Sequence, residues 1–194
     1  CQSPQCETTP FRPRSIYGVS KLAGYELVRN SRENSNFFGC AGILYNHESP
    51  RRSHEFVTRK IASAIANIKR GTQSELVLGN IDSRRDWGYA KEYVEAMYRI
   101  LQLEKPSDFV IATGKSHSVR NFLEIGFQVV GLDYNDYVKI DPSLFRPSLN
   151  GLVGNAEKAR KILDWTPKTS FEDLVELMVR AELENHPLGG EGIY

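Results

Sequence analysis

The chain has 194 residues, the size of one domain or of one large lobe of a bigger fold. Its 25 Lys and Arg nearly balance 24 Asp and Glu, so it lacks the basic footprint of a protein that binds nucleic acid whatever its sequence. A hydrophobic share of 40% excludes a disordered or collagen-like chain, and no apolar run approaches the roughly 20 residues of a membrane-spanning helix.

The opening Cys1-Gln2-Ser3-Pro4 has no basic or apolar leader pattern and reads as the continuation of a longer polypeptide. Cys1, Cys6 and Cys40 lack the paired short spacings of a disulfide framework or a zinc site, which suits a reducing, cytoplasmic setting. Ser15 is placed to cap a helix with Val19, Leu22, Ala23, Leu27 and Val28 on one face. Phe37 to Tyr45 is a near-continuous apolar run, as expected of a strand covered on both sides. A polar loop, Asn46 to Arg52, leads to an amphipathic helix over Phe56 to Lys69, stopped by Gly71.

Glu75 to Leu78 is a short strand, followed by the loop Arg84-Arg85-Asp86-Trp87-Gly88 and a helix over Lys91 to Leu103. Asp108 to Thr113 is another short strand, and Ser118 caps a helix whose inner side carries Phe122, Leu123, Ile125, Val129 and Val130. A late strand over Tyr137 to Ile140 precedes two helices, Ala156 to Leu163 and Phe171 to Glu184. Residues 187–194 hold too much glycine and too little apolar content to pack firmly. Strands alternating with helices argue for an α/β fold with parallel crossovers.

The first chemical signal is Tyr17-Gly18-Val19-Ser20-Lys21. Residues four apart share a helix face, so the Lys21 ammonium falls beside the Tyr17 phenol. A neighbouring cation favours a phenolate, the form that acts as a base, and an ammonium can also donate to ribose hydroxyls. Spacing alone does not carry this reading, because tyrosine and lysine often fall four apart on a solvated helix surface.

Longer blocks are more specific: Glu7 to Ser15, Ile43-Leu44-Tyr45-Asn46-His47-Glu48-Ser49-Pro50-Arg51-Arg52, Phe56 to Ile61, and Leu78 to Gly88 with its Arg-Asp-Trp-Gly. With the Tyr-x-x-x-Lys pair they resemble the GDP-mannose 4,6-dehydratases of the extended short-chain dehydrogenase/reductase superfamily, from about Gln5 to about Ala181. The resemblance implies the C-terminal part of a doubly wound, Rossmann-like parallel sheet, over 1–52, and a smaller mixed α/β substrate-binding lobe, mainly over 53–186. It implies NADP as cofactor, GDP-mannose as substrate, and a homo-oligomer, dimer or tetramer, that meets neither nucleic acid nor membrane. By the same resemblance Tyr17 and Lys21 are catalytic, and Lys21, His47 and Arg52 contact the cofactor. Asn46 contacts the sugar, Lys60 lies toward the guanine, and Arg85 and Arg146 lie near the diphosphate.

Two departures from the family pattern accompany these expectations. No glycine-rich dinucleotide turn occurs in the chain, and the family's catalytic Thr and Glu fall before Cys1, so the chain alone is expected to be inactive. Leu149 stands where the family has a glutamate that holds ribose hydroxyls. The alternatives are another nucleotide-sugar dehydratase or epimerase, and a non-catalytic lobe that binds nucleotide sugars.

Overall fold

The computed structural model describes residues 3–145 and 151–184; Arg146, Leu149 and the segment 187–194 lie outside these. Among the described residues the chain opens with α1 (Ile16–Ser35), β1 (Gly42–Leu44), β2 (Asn46–Glu48), α2 (Val57–Lys69) and β3 (Leu76–Leu78). It continues with β4 (Arg84–Arg85), β5 (Trp87–Tyr89), α3 (Ala90–Ile100), β6 (Phe109–Ile111), β7 (His117–Ser118) and α4 (Val119–Val129). β8 (Val138–Ile140), α5 (Glu157–Leu163) and α6 (Phe171–Glu184) complete it. Contacts divide the chain into two compact units, each assembled from three stretches of sequence.

The first unit combines residues up to His47 with Asp86–Lys115 and Leu152–Lys168. Its centre is β6, whose Phe109, Val110 and Ile111 are all buried, paired in parallel with β1 in the register Gly42 with Phe109 and Leu44 with Ile111. Tyr93, Ala96 and Ile100 of α3 close over it with Ala159 and Leu163 of α5 and Trp165. The Trp165 indole N–H donates to the Glu92 carbonyl at 2.8 Å, so the largest core side chain leaves no polar atom unpaired. β2 pairs with β5.

One expectation is corrected here. The run Phe37–Tyr45 is strand only over Gly42–Leu44, and Phe37 and Phe38 are exposed. Asn36 adopts a left-handed φ of 50°, and the Gly39 N–H bonds back to the Phe37 carbonyl, so the chain turns before it extends. α1 forms as predicted, with the Ser15 hydroxyl accepting from the Gly18 N–H at 3.0 Å, but no residue of it is buried. Its apolar positions have no covering layer among the described residues. Arg32 ties its last turn to Asp108 instead, through two bonds of 2.8 Å.

The second unit combines Glu48–Arg85 and Ser116–Gly151 with residues from Thr169 onward. It is a three-helix core in which Ile61 and Ile65 of α2, Phe122, Leu123 and Phe127 of α4, and Leu174, Val175 and Met178 of α6 are buried together. Each such side chain contributes about 1.5–3 kcal/mol by leaving water. β3 pairs in parallel with β8, and β4 pairs antiparallel with β7. Ser118 starts α4 with a reciprocal cap: its hydroxyl accepts from the Asn121 N–H while the Asn121 side chain accepts from the Ser118 N–H. Gly71, at φ 74°, takes the left-handed turn that ends α2. No helix among the described residues is long and apolar enough to cross a membrane.

Candidate functional site

In the first unit, α1 brings Tyr17 and Lys21 together. The Lys21 Nζ lies 5.4 Å from the centre of the Tyr17 ring, and both side chains are exposed on one helix face. The Ser15 cap fixes where this helix begins, and with it the direction of the pair. An exposed phenol beside an ammonium can exchange a proton with a ligand hydroxyl while the ammonium donates to another.

His47 follows β1 in the same unit. Its Nδ1 lies 2.9 Å from the Tyr45 carbonyl oxygen, which can only accept, so the neutral ring carries its hydrogen on Nδ1 and keeps Nε2 as an acceptor. The imidazole stacks on the buried ring of Tyr93, with centroids 5.3 Å apart. Asn46, beside it, is exposed. Tyr45 donates its hydroxyl to Gln5 at 2.9 Å. Burial, helped by the negative charge of Asp86, pushes its pKa up to about 12, which makes it a structural phenol.

The Arg-Asp-Trp-Gly block divides into distinct tasks. Asp86 is buried and accepts from the Thr113 N–H and hydroxyl on one oxygen and from the Gly114 and Gly154 N–H groups on the other. Trp87 is buried, as packing rather than base stacking requires. Gly88 leaves room for Tyr93: a Cβ there would stand 2.5 Å from the ring.

In the second unit, Arg85 is half-buried and donates to the Arg84 carbonyl at 2.7 Å, with no carboxylate partner among the described residues. Burial pulls its pKa down. Lys60 is exposed and donates to the Val77 carbonyl at 3.0 Å. The Arg52 guanidinium lies 3.5 Å over the Phe56 ring, and its Nε is 3.4 Å from Glu48. Glu48 is buried and accepts from the Thr58 hydroxyl at 2.6 Å. Sequence reasoning passed over Glu48, Thr58, Asp86 and Tyr93. For Glu48 and Asp86 the available signal was an acid inside a specific block, which periodicity cannot mark as buried. Arg146 lies outside the described residues. No group of His, Cys, Asp and Glu among the described residues could hold a metal ion.

Residues 1–178 match the family described as GDP-mannose 4,6 dehydratase. The chain is 53% identical over 182 residues to GDP-mannose 4,6 dehydratase 1 of Arabidopsis thaliana, covering 93% of this chain and 50% of the relative. It is 47% identical to the GDP-mannose 4,6 dehydratase of Homo sapiens, covering 93% of this chain and 54% of that one. Among solved structures, RMD from Pseudomonas aeruginosa complexed with NADPH superposes with a TM-score of 0.85 at 21% identity, over 93% of this chain and 60% of that one. That likeness shows the fold, a Rossmann-like α/β architecture. The chain spans about half the length of the relatives it matches. A match across nearly its whole length, at such identities, places this chain in the GDP-mannose 4,6-dehydratase family.

Proposed function

We propose that the full-length protein converts GDP-mannose to GDP-4-keto-6-deoxymannose and water, with NADP as its cofactor. The observation that carries this reading is the Tyr17–Lys21 pair, displayed on one exposed face of a capped helix in a chain of this family. Tyr17 takes the proton of the sugar's C4 hydroxyl, and Lys21 holds ribose hydroxyls and supplies positive charge beside the phenol. Asn46 orients the sugar through its amide, Lys60 lies toward the guanine, and Arg85 with Arg146 holds the diphosphate.

The residues present fit a dinucleotide. Lys21 is exposed, His47 keeps Nε2 as an acceptor, and the Arg52 guanidinium is braced at its Nε and ring-facing side. Each of the three, taken by itself, would contact NADP as the family resemblance implies, and NADP when bound supplies the acceptor and donor of hydride that an internal redox reaction needs. The same reading makes the enzyme a cytoplasmic homo-oligomer, dimer or tetramer; free Cys6 and Cys40 agree with a reducing compartment.

The test is product analysis by NMR after incubating the full-length protein with NADP and GDP-mannose, dTDP-glucose or UDP-glucose. The 4-keto-6-deoxy product should form from GDP-mannose alone, and Tyr17→Phe should lower turnover by about 10²–10⁴-fold while nucleotide binding persists. Turnover of another nucleotide sugar, or full activity of Tyr17→Phe, overturns the reading. Nucleotide binding without turnover would instead favour a non-catalytic lobe.

A further inference from the structure

Two acids of the second unit are buried although the proposed chemistry uses neither: Glu48 at 2% exposure and Glu182, near the end of α6, at 7%. A buried carboxylate is costly unless it is paired, and a buried ion pair adds little net stability even then. What such a pair does supply is a fixed place for the groups it touches. Both acids bear on the same short segment, Glu48 to Arg52, Glu182 through Arg59.

Glu48 accepts the Thr58 hydroxyl at 2.6 Å and faces the Arg52 Nε at 3.4 Å. Glu182 pairs with the Arg59 Nε. Arg59 in turn donates from Nη1 to the carbonyls of Pro50 and Arg52, the latter at 3.0 Å. The backbone of the loop is therefore gripped from α2, and that grip is anchored on α6. The Arg52 side chain itself is bounded by a carboxylate at one edge and by the Phe56 ring, 3.5 Å away, on one face. Its buried Nε has no hydrogen-bond partner among the described residues, so Glu48 holds it as an ion pair only.

Resting on the reading of Arg52 as a cofactor contact, we propose that Glu48 and Glu182 are positioning residues that hold the Arg52 guanidinium ready for an anionic group of the dinucleotide. Glu48 acts on the guanidinium directly. Glu182 acts at one remove, through Arg59 and the backbone of the loop. Holding the arginine in place before binding lowers the ordering cost that the cofactor would otherwise have to meet.

The test measures NADPH dissociation by its fluorescence in the full-length protein, together with kcat at saturating cofactor. Glu48→Gln and Glu182→Gln should each weaken NADPH binding roughly five- to tenfold with kcat preserved, as expected for loss of a charge-assisted contact. On an Arg52→Ala background, neither substitution should weaken binding further, because the arginine they position is gone. Gln variants that bind NADPH like the parent, or losses that multiply in the double variants, overturn the positioning role. If Arg52→Ala alone leaves NADPH binding unchanged, it is the cofactor reading of Arg52 that fails, and the inference with it. Should Glu182→Gln not fold, Arg59→Lys breaks the same link between Glu182 and the loop carbonyls and carries the same expectations.

Discussion

The Tyr93 ring lies nearly parallel to the His47 imidazole, with centroids 5.3 Å apart and planes 26° apart. Tyr93 is fully buried and meets Trp165 edge-on at 5.9 Å, so the platform against His47 has core on its other side. Gly88 is what lets that platform stand. A Cβ at this position would lie 2.5 Å from Tyr93 Cε2 and 2.7 Å from its hydroxyl oxygen, and the ring is fully buried with His47 and Trp165 against it. Gly88→Ala should therefore destabilise the fold by about 1–3 kcal/mol, as overpacking of a closed core does. Urea unfolding measures the cost, and a variant as stable as the parent would show that the ring has room after all.

Asp86 accepts four hydrogen bonds in the first unit, three of them from backbone N–H groups. An asparagine keeps the shape but turns an NH2 toward two of those donors, whichever way it is flipped. Asp86→Asn should cost about 2–4 kcal/mol, since buried N–H groups lose their acceptor and meet another donor. The denaturation midpoint should fall while the slope of the transition stays unchanged. An unshifted midpoint would mean that the loops at Thr113 and Gly154 are held by something else.

These two sites also show what can and cannot be read from the sequence. Ser118 and Gly71 mark helix ends because capping and left-handed turns act over three or four residues, and the structure places α4 and α2 where those marks fall. The apolar cores of α2, α4 and α6 are legible for the same reason, as periodicity within a single element. Phe37–Tyr45 misleads because an apolar run does not record where the backbone turns, and it turns at Asn36 and Gly39. Asp86 and Glu48 carry no local mark at all. An acid in a polar loop reads as solvated, and the partners that contradict this are Gly154, 68 residues away, and Thr58, 10 residues away. Tyr17 and Lys21 meet because four residues make one turn, which is why that pair is visible without a structure.

Acid should weaken the first unit through the pair Arg32–Asp108. Burial works to raise the Asp108 pKa, but the two-bond fork from Arg32 and the Ala41 N–H at 2.8 Å outweigh it and hold the carboxyl below its ordinary value. A carboxyl with a depressed pKa binds fewer protons folded than unfolded between the two values. Its contribution is therefore complete above the ordinary carboxylate pKa of about 3.9 and is lost as pH falls through the folded value. Stability measured against pH for the parent and for Asp108→Asn should show a gap that is constant near neutrality and closes in acid. A gap of equal size at every pH would assign the contribution to packing instead.

Arg85 and Arg120 are two arginines of one unit with opposite circumstances. Arg120 is already engaged: Asp82 takes its Nε and Nη2 at 2.9 and 3.0 Å, and the Tyr134 hydroxyl lies 3.2 Å from its Nη1. Arg85 is half-buried, its one hydrogen bond among the described residues goes to the neighbouring Arg84 carbonyl, and burial lowers its pKa. A guanidinium left without a carboxylate among the described residues is the better docking point for a diphosphate, because no existing pair must break first. In the full-length protein, Arg85→Gln should weaken GDP binding about tenfold or more, and Arg85→Lys should recover only part of the loss, since an ammonium lacks the planar fork. Arg120→Gln should leave GDP affinity at the parent value. Calorimetric titration with GDP separates the cases, and equal losses at both positions would show that general positive charge, rather than the available guanidinium of Arg85, attracts the nucleotide.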